Sequence, residues 1–257
     1  MNNIFWVMLG WYVLTAAVCL GRKNNGLVDI FWGLGFLGVS GASLLSADHP
    51  PLELQCMTGL IWIWGLRLSF YLYRRNWNKP EDFRYANFRK GWGKNWILSS
   101  LIKVYLLQAI LMQVICIPVY VIACWGNHPN TSTDARTASV ACITGTLVSL
   151  LGIFIEALAD WQKSKFKQDA RNDGKICQVG LWSISRHPNY LGEIFMWLGV
   201  GLIPLQSPWG GIALISPIFL TFLLYKVSGV PLLEERLRGR ADFEAYCKKT
   251  GAIFPRV

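Results

Sequence analysis

Glu156, Asp160, Lys163 and Lys167 recur at i, i+4, i+7 and i+11, so one helical stripe carries two carboxylates followed by two ammoniums. Carboxylates in such a place can bind ribose hydroxyls, and lysines can bind phosphates. Weak ion pairs along a helix surface would explain the same spacing. Glu156, however, lies a turn deeper than Asp160 in an apolar stretch, where an unpaired charge is costly. A second segment, residues 180–193, reads Gly-Leu-Trp-Ser-Ile-Ser-Arg-His-Pro-Asn-Tyr-Leu-Gly-Glu. Pro188 suits the first turn of a helix. The free amides at that end, with Arg186 and His187 before them, suit an anion such as phosphate. Asn189, Tyr190 and Glu193 add polar groups on the first turn, and Trp182 precedes them. Ordinary helix capping beside a basic membrane anchor would fit this segment equally well. A third group, Arg67, Tyr71 and Arg74, shares one helical face. A phenol beside a cation can donate a proton, whereas arginines that snorkel to headgroups around an interfacial Tyr would do no chemistry.

The elements that must position these groups follow from composition. The chain is 53% hydrophobic and only 16% charged, against about 25% charged in a soluble domain. Seven stretches are apolar and close to the length needed to cross a bilayer: residues 4–20, 27–46, 52–73, 97–125, 138–160, 190–205 and 209–227. The fourth is long enough to tilt, or to break near Pro118. Of the 25 basic residues, 22 fall in the segments after the first, third, fifth and seventh stretches, and Arg136 stands alone in the others. That alternation predicts an all-α bundle of about seven transmembrane helices, N-terminus outside and C-terminus cytosolic. Residues 1–257 then form a single membrane domain. Residues 229–257 would be a cytosolic segment packing on the opening to a ligand cavity. The net charge of +10 is therefore a topology signal, and nucleic acid is not an expected partner. The scattered seven Cys and three His give no metal-ligand spacing, and no metal is expected. No GxGxxG fingerprint follows a strand. Asn130-Thr131-Ser132 fits a glycosylation sequon in an outer loop if the host is eukaryotic.

The segment Ser-Arg-His-Pro-Asn-Tyr-Leu-Gly-Glu (185–193) resembles the signature of the steroid 5-alpha-reductase-like membrane superfamily. The similarity extends from about residue 29 to the C-terminus. Asp29 with Trp32-Gly33, Gly65-Leu66-Arg67-Leu68, Glu81-Asp82-Phe83-Arg84-Tyr85, Asp160 with Gln162-Lys163, and Gly180-Leu181-Trp182 resemble its large uncharacterised branch. The resemblance implies a seven-helix reductase that binds NADPH in a cytosol-open cavity beside a lipid-like enone. It places cofactor contacts on Asp160, Asn189, Lys167 and Glu193. The catalytic Tyr falls on Tyr71, with Phe70 standing where those enzymes carry His.

The first expected reaction is reduction of a conjugated C=C bond in a steroid-like or other lipid, with Tyr71, Arg67 and Arg74 around the reacting carbonyl. Arg84, Tyr85, Glu156, Asp160, Lys163, Lys167, Arg171, Trp182, Arg186, His187, Asn189, Tyr190, Glu193, Glu234 and Glu235 would surround NADPH. The alternative is methyl transfer from S-adenosylmethionine to a lipid or prenylated substrate. Isoprenylcysteine carboxyl methyltransferases carry a similar Arg-His-Pro-x-Tyr-x-Gly pattern, and Glu234-Glu235 resembles their acidic pair. A sulfonium favours carboxylates and aromatic faces. The charge pattern suits a bacterial inner membrane, or the endoplasmic reticulum membrane in a eukaryote. Membrane lipids are expected neighbours.

Overall fold

The computed structural model describes residues 2–126 and 140–256. The sequon Asn130-Thr131-Ser132, Arg136 and the start of the fifth expected stretch lie outside the described residues. Among the described residues the chain is helical, with no β-strand and one isolated parallel bridge between Ser185 and Gly251. In chain order the α-helices are α1 (Asn2–Gly21), α2 (Val28–Leu45), α3 (Leu52–Asn76), α4 (Phe83–Trp92), α5 (Trp96–Ser100), α6 (Leu107–Ile115), α7 (Ile117–Gly126), α8 (Val140–Gln168), α9 (Pro188–Leu202), α10 (Ile215–Phe222), α11 (Val230–Glu234) and α12 (Ala241–Lys249).

Five helical runs are long and apolar enough to cross a membrane: Asn3–Gly21, Asn25–Leu45, Phe83–Ile115, Val140–Gln168 and Gly210–Leu237. The chain is a membrane protein on this ground. Two of the seven expected stretches fall short for physical reasons. The 25-residue α3 has the length but carries Glu53, Arg67, Arg74 and Arg75. The 15-residue α9 is too short by itself, and a 3₁₀ turn, Ile203–Gln206, follows it. The fourth stretch breaks near Pro118, as its sequence suggests. Helix α6 stops at Ile115, and α7 restarts with Pro118 in its first turn, where a missing N–H costs nothing.

Lipid tails do not drive helices together hydrophobically, so close packing of small residues does. Helices α8 and α9 meet this way. A Cβ on Gly192 would lie 2.5 Å from the Glu156 nitrogen and 2.7 Å from the Gly152 carbonyl oxygen. The Ser149 hydroxyl donates to the Met196 carbonyl at 3.0 Å along the same seam. This contact brings the first turn of α9, with Glu193, against the charged part of α8. Helices α2 and α3 approach similarly, with Gly33 against Gly65. Phe36, Trp64 and Trp197 fill the space where α2, α3 and α9 converge, with ring centroids 4.9–5.6 Å apart. These offset and edge contacts suit aromatic quadrupoles, and they form an apolar floor beneath the polar groups described next.

Candidate functional site

Arg67 of α3 and the carboxylates of α8 meet where the two helices pack together. One Arg67 Nη atom donates to Asp160 Oδ2 at 2.8 Å, and the other donates to Glu156 Oε1. Trp64, one turn before Arg67, donates its indole N–H to Glu156 Oε2 at 2.8 Å. Glu156 and Asp160 are buried. Their cross-helix partner is therefore Arg67, and not the lysines that follow them on α8. Arg67, expected beside Tyr71 as a catalytic cation, is held by both carboxylates. Glu193 of α9 faces Glu156, Arg67 and Asp160, and it makes no hydrogen bond or ion pair among the described residues. The carboxamide oxygen of Asn189 is buried without a donor.

Above this cluster stands a group of cations. Arg75 lies within electrostatic reach of Asp160, Lys163, Lys167, Asp29 and Tyr190. Lys163 places its ammonium 4.0 Å from the centre of the Trp182 ring, whose N–H donates to the Ala159 carbonyl at 2.9 Å. Lys163, Lys167 and Arg75 make no ion pair within 4 Å with a carboxylate among the described residues. Such a convergence of unpaired cations favours a polyanionic ligand. The Arg75 guanidinium sits 5.4 Å from the centre of the Tyr71 ring. Arg74 is exposed and instead lies over Phe70, 5.8 Å from its centroid. The sequence reading missed Arg75. Its spacing of four from Tyr71 and eight from Arg67 was the available signal.

A third group joins α2 to α4. Asp29 accepts from the Tyr85 hydroxyl at 3.2 Å and lies 3.6 Å from Arg84, while Gln108 donates to the same Tyr85 oxygen at 3.3 Å. Tyr190 faces this group as well as Glu193, and it stacks on His187 at 5.3 Å with the rings 9° apart.

The C-terminal segment closes over residues 182–187. Arg186 donates to Glu234 through Nε at 2.8 Å and Nη2 at 3.2 Å, and to the Thr250 carbonyl at 2.5 Å. The amides of Arg186 and His187 donate to the carbonyls of Gly251 and Ala252 at 2.9 and 3.0 Å. Tyr246 donates its hydroxyl to the Trp182 carbonyl. His187 Nε2 lies 3.0 Å from Glu234 Oε1. Burial pushes the imidazole below its ordinary value of 6.5, and Glu234 opposes that shift while Lys163 and Arg186 add to it. The unfolded chain therefore binds this proton first as pH falls. Stability is expected to drop below pH 6.5, by at most about 1.4 kcal/mol per pH unit for one site. His187→Asn should flatten that dependence in unfolding measured at about pH 7.5 and about pH 5.5.

Two of the expected site residues stand apart. Arg171 is exposed and bonded to Asp169, which caps the short 3₁₀ turn Ala170–Asn172. Glu235 is exposed and paired with Arg238 at 2.8 Å.

The family described as "Protein of unknown function (DUF1295)" matches residues 13–250. "Uncharacterized protein C594.04c" of Schizosaccharomyces pombe (strain 972 / ATCC 24843) is 25% identical over an alignment of 289 residues, covering all of this chain and 77% of the yeast protein. No solved structure matches the chain.

Proposed function

We propose that this chain, which belongs to the DUF1295 family, is an NADPH-dependent membrane reductase of a conjugated C=C bond in a steroid-like or other lipid. The observation that carries the reading is the group of Arg75, Lys163 and Lys167, cations without a carboxylate partner among the described residues that lie within electrostatic reach of one another near the Arg67–Glu156–Asp160 cluster. NADPH brings three phosphates to such a group. The resemblance of residues 185–193 to the steroid 5-alpha-reductase-like superfamily supports the same reading.

The residues present fit the cofactor. The buried Asn189 oxygen lacks a donor, and a carboxamide N–H would supply one. Bound NADPH would supply the hydride. Arg75, Lys163 and Lys167 would neutralise phosphate charge, while the rigid Arg67 pairs keep Glu156 and Asp160 in place beneath them. The Tyr71 hydroxyl makes no hydrogen bond among the described residues, which leaves it free to hold a proton for a substrate carbonyl oxygen. The apolar floor of Phe36, Trp64 and Trp197 excludes water below. On this reading α3 and α9 also cross the membrane, giving seven crossings with the C-terminus cytosolic, in a bacterial inner membrane or the endoplasmic reticulum. The methyltransferase alternative would draw on Glu234, which is held by Arg186 and His187, and on the exposed Glu235, which pairs with Arg238.

The double variant Lys163→Gln/Lys167→Gln tests the assignment. Its NADPH affinity is expected to fall at least about tenfold, the effect of losing one charge-assisted contact or more, with the ligand-free melting temperature little changed. Unaltered NADPH affinity would refute the phosphate wall.

A further inference from the structure

A cleft of about 350 Å³ lies between the α1–α2 turn and the α3–α4 turn, lined by Arg22, Lys23, Lys79, Arg89, Glu81 and Trp77 among others. Its walls are tied together. Asn24 donates to the Lys79 carbonyl at 3.3 Å, Arg89 donates to the Lys23 carbonyl at 2.6 Å, and Arg22 stacks 4.4 Å above the Trp77 ring. Four cations line it against one carboxylate, Glu81, which pairs with Arg89 at 2.6 Å. The ammonium groups of Lys23 and Lys79 have no hydrogen-bond or ion-pair partner among the described residues. The cleft therefore carries uncompensated positive charge.

An apolar track leads into it. Leu66, Phe70, Tyr73 and Trp77 follow one another at steps of four, three and four along one face of α3 and its C-cap. The first three are 52%, 62% and 45% exposed, and Tyr73 packs on Trp77 with centroids 5.1 Å apart. An anionic head and an apolar tail thus have adjoining surfaces at one end of a membrane helix. Basic pockets at such positions suit lipid phosphates.

We propose that this cleft binds the phosphate of an anionic membrane lipid, with an acyl chain lying along the Leu66–Phe70–Tyr73 face of α3. The assignment is independent of the reductase reading.

Native mass spectrometry of the full-length, detergent-purified protein tests it, with dioleoylphosphatidylglycerol, dioleoylphosphatidylcholine and glycerol 3-phosphate as probes. The wild type is expected to prefer phosphatidylglycerol over phosphatidylcholine. Lys23→Gln/Lys79→Gln should weaken phosphatidylglycerol binding by about tenfold or more, from about fivefold per basic residue at a membrane surface. Lys94→Gln/Lys248→Gln changes the net charge equally and should retain the preference. Equal binding of the two lipids, an unchanged preference in the first variant, or equal loss in the second would overturn the proposal. Displacement of phosphatidylglycerol by glycerol 3-phosphate would assign the cleft to a soluble phosphate ester, and displacement by NADPH would assign it to the cofactor mouth. Either result also overturns the lipid assignment.

Discussion

Arg67→Ala is expected to destabilise the folded protein by about 3–5 kcal/mol, the range seen when one partner of a buried ion pair is removed. The Arg67 side chain is 20% exposed, while those of Glu156 and Asp160 are 4% and 7% exposed. Removing the guanidinium leaves two carboxylates facing each other in a low-dielectric interior, with Glu193 close by as a third. The Trp64 N–H still reaches Glu156, but one neutral donor does not balance that charge. Arg67→Lys should fall between, because an ammonium lacks the fork that spans Glu156 and Asp160 together. Adding Glu156→Gln and Asp160→Asn to Arg67→Ala should restore much of the loss, since the uncompensated charges go with their partner. Chemical unfolding in detergent measures all three. A loss below about 1 kcal/mol in Arg67→Ala would mean that the pairs behave as exposed ones.

Gly192→Leu is the second large effect. Even a single Cβ there would stand 2.5 Å from the Glu156 nitrogen and 2.7 Å from the Gly152 carbonyl oxygen. These are backbone atoms of α8, so no side-chain rotation relieves the contact. Overpacking of a tight interior costs about 1–3 kcal/mol and sometimes more. The functional consequence should exceed the loss of stability. Separating α9 from α8 moves Glu193 and Asn189 away from Glu156 and Asp160 together. Gly192→Leu should therefore lose ligand-induced stabilisation at temperatures where it remains folded. Gly211→Leu, at a position where a Cβ meets nothing within 4 Å, should leave both properties unchanged.

Helical spacing placed Glu156 and Asp160 on one face, and the apolar setting marked them as buried. Their true partner was not legible, because periodicity within α8 reports i+4 neighbours and says nothing about α3. Spacing offers only the lysines of the same helix as partners for the carboxylates, as the alternative to a ligand; Arg67 of α3 takes that role across the helix pair. The sequence favours Arg74 over Arg75 as the cation beside Tyr71, because Arg67, Tyr71 and Arg74 share a helical face. A step of one residue on a helix rotates the side chain by about 100°, which separates the arginine over Tyr71 from the one over Phe70. Arg171 counted as part of the basic wall by proximity in sequence, yet Asp169 two residues earlier captures it locally. The break at Pro118 was legible because proline acts through its own backbone. The C-terminal latch on Arg186 was not, since it depends on contacts between residues 48 and more apart in sequence.

The central claim is that the cation wall over Asp160 holds NADPH. Thermal unfolding of the purified wild-type protein, titrated separately with NADPH, NADH and S-adenosylmethionine, tests it most directly. A ligand that binds only the folded state raises the melting temperature with RT ln(1 + [L]/Kd), about 2.7 kcal/mol at a hundred times Kd. The account predicts a saturable rise with NADPH, a weaker one with NADH, which lacks a phosphate, and none with S-adenosylmethionine. A rise with S-adenosylmethionine and none with NADPH would contradict it.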